Sequence, residues 1–471
     1  MKDKILKPAR KEISEICSHV LARIEPNEEE RKKTLRLADT LRYRLANKLR
    51  DQNIEAEVRI EGSVAKDTWL ASENDIDIFV LLPKTASREL FPKILGSAKK
   101  LGGRWRVRYA EHPYLQTEIE GYRVEIVPCF QIDSTRELIS AVDRTPFHTQ
   151  YVKEHASEEI KREIRLLKRF AIGTGCYGAE LKTQGFSGYL CELLTLHHGS
   201  FQKLIEAASG WKPGTIIDHE RSYADESEPA ILFEGQPLVV IDPVDPNRNV
   251  AAAVSAQSFA AFVRACQEFL PDPRPEFFFP KKVKLLDARE VRRILKRRGT
   301  KIFCVAFETP DLVPDVLYPQ LRKTEHALVA RLEQAGFEVQ RSDVWGDSKS
   351  VILIELGTSK LARVQTRVGP PVTIEVKDFI REHLRSKEKI TGPFVDATGR
   401  VVFELEREEI DAGDVLKRAL EERVAFGKHV AEAIKREYEI VEDAGLVKLL
   451  HDKKFREFIS EYLTRCLPWY R

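Results

Sequence analysis

Asp75 and Asp77 stand in a run where Ile76, Ile78, Val80 and Leu82 alternate with Asp75, Asp77, Phe79 and Leu81. That period of two predicts a strand, so both carboxylates leave it on the same face. Two acids so placed repel each other unless a cation sits between them, and oxygen donors are how a hard ion such as Mg²⁺ is held. Upstream, Gly62-Ser63 closes one strand and opens a short helix predicted over 64–70 that carries Lys66. A Gly-Ser turn lets backbone N–H groups and a hydroxyl approach a phosphate at a helix N-terminus. A third acid, Glu125, lies in a strand where Val124 and Ile126 take one face and Glu125 the other. Three carboxylates from neighbouring strands beside a phosphate cradle suit two-metal phosphoryl transfer, because one ion must also grip the attacking hydroxyl. An isolated Asp-x-Asp is ordinarily the wet edge of a strand. The Gly-Ser turn, the intervening helix and the flanking alternation favour a site here.

These side chains need elements to position them. A charged helix is predicted from Asn27 towards Arg50, with Ala38, Leu41, Leu45 and Leu49 on its inner face. Strand 56–61, the cradle and the carboxylate strand follow, then a helix near 88–101 ending at Gly102-Gly103. A hairpin comes next: strand 105–109, a turn through Ala110 and Glu111, strand 115–119, the Glu120-Gly121 turn and the Glu125 strand.

Beyond Asp143 the pattern turns helical. Thr145-Pro146-Phe147-His148 is expected to cap one helix, and a second is predicted over 158–172. Its Ile160, Ile164, Leu167 and Ala171 should face inward and Lys161, Arg165 and Lys168 outward, a basic stripe that reads as a wet face. Glycine-punctuated turns around Tyr177 and Gly185 precede an apolar helix over 189–196. Val239 to Ile241 leads into Asp242-Pro-Val-Asp-Pro246, a stiff turn expected to deliver Arg248 at the mouth of a helix. A helix over 258–270 is followed by Pro271, Pro273 and Pro275, read as a domain boundary.

The second half opens with a helix over 288–298 that gathers Arg289, Arg292, Arg293, Lys296 and Arg297 on one side. Such a stripe is either a solvated face or a contact for a phosphate backbone. Strand 301–307, helix 318–335, strands 337–342 and 350–356, helix 376–384 and strand 400–405 give a βαββαβ order, the pattern of a ferredoxin-like sandwich. Long helices over 408–438 and 453–466 are expected to close the chain.

At 471 residues the chain calls for about three domains. Seventy-seven Lys and Arg against 74 Asp and Glu leave a formal charge of +3, so any basic surface must be local. Seven scattered Cys without a Cys-x-x-Cys pair imply neither a disulfide framework nor a zinc site, and read as reduced thiols in cytosol. The first residues lack an apolar signal core and no stretch reaches bilayer-spanning length, so a soluble, cytoplasmic protein is expected.

The Gly-Ser, spacer, Asp-x-Asp pattern resembles the nucleotidyltransferase superfamily that includes DNA polymerase beta. Further strings are similar to those of the archaeal, class I, CCA-adding tRNA nucleotidyltransferases. They include Gly62-Ser63 through Thr68-Trp69-Leu70, Arg108 to Tyr114, Ala141 to His148, Arg165 to Lys168, Tyr177 to Glu180, Gly185 to Tyr189, and Asp242 to Asp245 with Arg248-Asn-Val250. The likeness is dense over the first 270 residues and thinner beyond. It implies an α+β multidomain chain: a nucleotidyltransferase palm of mixed sheet and helices (1–143), a helical central domain (144–273), a ferredoxin-like domain (274–407) and helical tail segments that touch tRNA (408–471).

The resemblance also implies roles. Gly62, Ser63 and Lys66 would hold a triphosphate, though many relatives carry Arg at the last position. Asp75, Asp77 and Glu125 would be the catalytic and metal-binding acids, where relatives often carry Glu first and Asp third. His148, Lys168 and Tyr177 would contact the nucleotide, and Arg248 would select C and A over U and G. The implied activity is template-independent addition and repair of the 3′-terminal CCA of tRNA from ATP and CTP, with Mg²⁺. The acceptor end of tRNA is the implied partner, and a homodimer a family-level expectation. Alternatives are a poly(A) polymerase-like enzyme on the same core, or an RNA-binding protein that keeps the shell without chemistry.

Overall fold

A computed structural model describes residues 2–109 and 112–471, with backbone alone for 2–10 and 109. The turn residues Ala110 and Glu111 lie outside the described residues. Two compact units emerge, one formed by the chain to Lys282 with Cys466–Arg471, the other by Val283–Arg465.

In the first unit, helix α1 (Lys2–Ile24) precedes α2 (Glu28–Arg50). Asn27 caps α2 reciprocally: its side chain accepts from the Glu30 amide at 2.9 Å while the Glu30 carboxylate accepts from the Asn27 amide at 3.1 Å. Leu37, Ala38, Leu41, Leu45 and Leu49 form the buried face of α2. Five strands follow: β1 (Glu57–Glu61), β2 (Asp75–Pro83), β3 (Arg106–Tyr109), β4 (Pro113–Ile119) and β5 (Tyr122–Gln131), in the order β1-β2-β5-β4-β3. Only β2 and β5 run parallel. Ile76, Ile78, Val80, Leu82, Val124 and Ile126 are buried with α2 and α4 (Phe91–Lys99), as the alternation requires. The opposite face carries the carboxylates at the start of β2 and β5 and the buried cluster Phe79, Leu81, Val127 and Cys129 beyond them.

Helix α3 (Gly62–Lys66) is shorter than the 64–70 expected. It stops at Asp67, which takes the left-handed conformation (φ +54°). The carbonyls of Asp67, Thr68 and Trp69 accept hydrogen bonds from Arg165 and Lys168 instead of continuing the helix.

Helices α5 (Thr145–His155), α6 (Glu158–Gly173), α7 (Gly188–His198), α8 (Phe201–Ala208), α9 (Ser227–Leu232) and α10 (Ala256–Phe269) form the helical part of this unit. Its core gathers Phe170, Phe201, Phe262 and Phe269 with Phe277 and Phe278, and α1 joins it through Ile13, Val20, Leu21 and Ile24. A small sheet, β6 (Thr215–Ile217), β7 (Leu238–Asp242) and β8 (Asp245–Asn249), sits beside the helices. The outward stripe expected on α6 is corrected here: Arg165 and Lys168 are each 1% exposed. Segment 67–70 covers them, and Arg165 pairs with Asp67 at 2.8 Å.

The second unit begins with α11 (Ala288–Arg298) and contains the expected ferredoxin-like sandwich, with its second helix and fourth strand reassigned. Strand β9 (Lys301–Glu308), helix α12 (Pro314–Ala335), β10 (Val339–Gly346) and β11 (Lys349–Leu356) lead into a side sheet. That sheet, β12 (Val364–Pro371), β13 (Lys389–Val395) and β14 (Arg400–Glu406), has the order β12-β14-β13 and carries α13 (Lys377–Leu384). The helix and strand expected to complete the sandwich therefore belong elsewhere.

The long helix expected over 408–438 breaks, with Arg423 and Ala425 at positive φ, into α14 (Ala412–Glu422) and α15 (Lys428–Arg436). The fourth sandwich strand is β15 (Tyr438–Glu442), giving the order β10-β11-β9-β15. Helices α12, α14 and α15 fill one face of that sheet. Helices α11 and α16 (Lys453–Leu463) fill the other, so α16 is shorter than the 453–466 expected. Among the described residues no helix is long and apolar enough to cross a membrane.

Candidate active site

The register of β1, β2, β5, β4 and β3 aligns Glu61, Asp77, Glu125, Gln116 and Arg106 in one row, with Arg123 paired to Asp75 in the next. Asp77 and Glu125 are thus immediate neighbours on parallel strands, and Asp75 shares their face. Gln116 Nε2 donates to Glu125 Oε1 at 2.8 Å. Arg123 donates to Asp75 Oδ2 at 2.5 Å and lies 3.9 Å from Glu125. Gly62 takes φ +69°, and a Cβ there would collide with the Asp77 carboxylate, so the turn needs glycine on both counts.

Burial, then the negative charges of Glu125 and Asp75, push the Asp77 carboxyl up to about 7. Among the described residues no three acids, His or Cys are drawn close enough to form a closed metal cluster, and Arg123 supplies a positive charge between Asp75 and Glu125. The donor set, all carboxylate oxygens with more negative charge than the local cations offset, fits a divalent hard ion.

A pH signature follows. With its folded pKa near 7 and an unfolded value near 3.9, the Asp77 carboxyl binds its proton more tightly in the fold. Its ionisation therefore costs stability progressively as pH rises from about 4 to about 7. A cation binding the ionised form reverses that cost, so saturating MgCl₂ should raise the melting temperature more at about pH 8 than at about pH 6. An equal shift at both pH values would remove Asp77 from the ion's ligands.

Beside this row lies a knot around Glu192 of α7, a fully buried acid. Lys66 donates to Glu192 Oε2 at 2.5 Å, Lys168 to Oε1 at 2.9 Å and the Thr68 hydroxyl to Oε1 at 2.6 Å. Burial alone would raise the Glu192 carboxyl, but Lys168 and Lys66 overturn it and hold the group at about 2. Two ammoniums against one carboxylate leave one positive charge in the knot. Ser63 is half-buried in the first turn of α3. A Cβ on Gly188 would lie 3.2 Å from the Tyr177 hydroxyl and 3.7 Å from Lys168 Nζ, so both approach the start of α7.

A second knot forms on Asp242, also fully buried. His148 Nε2 lies 3.0 Å from Asp242 Oδ2, Arg248 donates to the same oxygen at 2.8 Å, and the Tyr189 hydroxyl donates to Oδ1 at 3.1 Å. The rings of His148 and Tyr189 stack at 4.0 Å. Burial opposes ionisation, yet His148 and Arg248 hold the Asp242 carboxyl below its usual range. Burial also lowers the His148 imidazole against the pull of Asp242, which favours a neutral ring. Arg248 is not at a helix mouth as expected. It lies on β8, and the β7–β8 hairpin folds it back onto Asp242.

Sequence reasoning assigned no role to Glu192, Asp242, Tyr189, Thr68 or Glu61. One signal was available: Glu192 is a lone acid within Leu190-Cys-Glu-Leu-Leu194. Such a charge is rarely buried without partners. Glu61 is 3% exposed, opposite Asp77 in register, and has an oxygen without a hydrogen-bond partner.

The nucleotidyltransferase domain family matches residues 42–148, the tRNA nucleotidyltransferase second domain matches 162–279, and the CCA-adding enzyme C-terminal domain matches 298–443. The CCA-adding enzyme of Methanosarcina acetivorans is 39% identical over 453 residues, 94% of this chain and 97% of that protein. The chain belongs to the archaeal CCA-adding enzymes. The CCA-adding enzyme of Methanothermobacter thermautotrophicus is 38% identical over 471 residues, 96% of this chain and 98% of that one. That of Halobacterium salinarum is 36% identical over 447 residues, 90% of this chain and 96% of its own length. Within a CCA-adding enzyme the five-stranded sheet is the nucleotidyltransferase palm, and most of α6 with α7 to α10 and the β6–β8 sheet falls in the second-domain match.

Proposed function

We infer that the protein completes and repairs the 3′-terminal CCA of tRNA without a template, using CTP and ATP and releasing pyrophosphate. The observation that carries this reading is the register of Asp77 against Glu125, with the two buried knots gathered beside it. Asp75, Asp77 and Glu125 would hold Mg²⁺. When bound, the ion lowers the pKa of the attacking hydroxyl and neutralises charge on the triphosphate. Gln116 fixes the orientation of Glu125 through its 2.8 Å hydrogen bond. Gly62 and Ser63 would offer the triphosphate backbone N–H groups and a hydroxyl, and Lys66, Lys168 and Tyr177 would supply the neighbouring charge and hydroxyl. The surplus positive charge of the Glu192 knot favours a phosphate there.

Base choice belongs to the Asp242 knot. C and A each present an amino donor beside a ring-nitrogen acceptor, whereas U and G present the reverse order. Arg248 gives one N–H to Asp242 and keeps the others for the base. Replacing Arg248 with Ala should lower the preference for CTP and ATP over UTP and GTP about tenfold or more, given ~1–3 kcal/mol for a buried group left unpaired. Competition between nucleotides reads this, and intact selectivity with collapsed turnover would remove Arg248 from base selection.

The tRNA backbone would lie along α11. Arg289, Arg292, Arg293, Lys296 and Arg297 are exposed there and have no ion-pair partner among the described residues. The seven free cysteines suit the reducing cytoplasm, and a homodimer is the family expectation that sedimentation would read. The deciding assay supplies tRNA lacking its tail, CTP, ATP and Mg²⁺. Addition of C, C and A and then arrest supports the reading, while a growing poly(A) tail from ATP alone overturns it.

A further inference from the structure

The carboxylate face continues past β5 into a cleft of about 780 Å³ over β4 and β3 that no role above explains. Its lining runs from Asn74 and Asp75 at the start of β2 across Arg123 of β5 to Gln116 and Arg106 of β4 and β3, away from β1 and α3 in the sheet order β1-β2-β5-β4-β3. Arg104, Arg106 and Arg123 line it. Arg106 stands in the row of Asp77, Glu125 and Gln116, and Arg123 in the row of Asp75 and Glu118. Arg104 and Arg106 are exposed and have no ion-pair partner among the described residues. Among the described residues Glu118 is the one acid in the lining besides Asp75, which Arg123 already engages. The cleft therefore presents cationic forks beside the acids, on the side opposite the triphosphate.

Nucleotidyl transfer needs the attacking oxygen and the leaving pyrophosphate roughly in line across the phosphorus. With the triphosphate held from the α3 side, the attacking 3′-hydroxyl must arrive from β4 and β3. We propose that this cleft binds the sugar–phosphate backbone of the last nucleotides of the acceptor strand, with Arg104 and Arg106 on its phosphates and Arg123 leaving Asp75 to join them. The proposal rests on the reading of the protein as a CCA-adding enzyme. Guanidinium forks match phosphate oxygens, and contacts to phosphate read no base, as a strand whose sequence changes at each addition requires.

The test compares wild type with an Arg104→Ala/Arg106→Ala variant on tRNA lacking its tail. The variant should raise the KM for tRNA about tenfold or more and reduce the salt dependence of binding by roughly 0.7 per lost contact. The KM for CTP and kcat at saturating tRNA should stay within about twofold. An Arg104→Lys/Arg106→Lys variant should recover most of the affinity, because phosphate needs the charge first. Replacing either of the last two phosphates with a neutral methylphosphonate should weaken wild type several-fold and leave the alanine variant unchanged.

Effects that multiply rather than overlap, an unchanged KM for tRNA, or a rise confined to the KM for CTP would each overturn the assignment. Both arginines are exposed, so the variants should melt as wild type does, and a lowered melting temperature with a matching loss of CTP affinity would mark them as structural. Wild-type addition of C, C and A is the reference arm. Its failure would sink the functional reading, whereas its success with silent arginines would sink only the cleft.

Discussion

Asp77→Asn is expected to cut nucleotide incorporation by about a thousandfold or more while leaving a protein that unfolds at a higher temperature at about pH 8. The loss follows from removing one of the two neighbouring acids that would share the ions, an effect of several kcal/mol in charge stabilisation. The gain follows from the same crowding. Burial, Glu125 and Asp75 raise the Asp77 carboxyl to about 7, so its ionised form opposes folding. Each tenfold change in proton affinity is about 1.4 kcal/mol, which puts the relief on the order of a few kcal/mol above neutrality and near zero below about pH 4.

Single-turnover addition assays, and melting curves in EDTA at about pH 4 and about pH 8, measure the two halves. Activity within tenfold of wild type would remove Asp77 from the chemistry. A variant less stable than wild type at about pH 8 would show that its charge is satisfied in the fold.

Glu192→Gln should destabilise the first unit by about 3–5 kcal/mol, the cost of stranding buried charge when one partner of an ion pair is removed. Lys66 and Lys168 would both lose their counter-charge in a place where water cannot replace it. The pH dependence carries the same signature. The Glu192 carboxyl sits near 2 in the fold and near 4.3 when unfolded, so it supports the structure fully above about pH 4.5. That support drains away as the pH falls towards 2. Glu192→Gln should therefore be less stable than wild type at neutral pH and converge with it in acid. Glu192→Asp, which keeps the charge, should lie between them. Denaturant titrations at several pH values would test this, and a loss below about 1 kcal/mol at neutral pH would mean that the lysines find other partners.

Much of this was legible in the sequence because the signals were local. Strict alternation from Asp75 to Leu82 and from Val124 to Ile126 placed the acids on the face away from the core, and the register of β2 against β5 agrees. What stayed hidden was what distant chain supplies. The period of α6 marks Arg165 and Lys168 as solvent-facing, because helical spacing says nothing of a segment about a hundred residues upstream that covers them. Glu192 and Asp242 acquire meaning only through partners on other elements. Strand β15 is only five residues long and follows a helical run without a proline or glycine between them, so its first residue was taken as the end of the expected helix and the rest drew no assignment. Helix α1 carried a readable stripe, Ile13, Val20, Leu21 and Ile24, that drew no assignment.

Helix α7 bears Tyr189, which donates to Asp242, and Glu192, which anchors Lys66 and Lys168. Three residues of helix separate them by about 4.5 Å along a stiff axis. The Asp242 and Glu192 knots are thus mounted on a single rod. If the two knots take base and phosphates as proposed, a shift of this helix would be felt at both ends of the nucleotide at once.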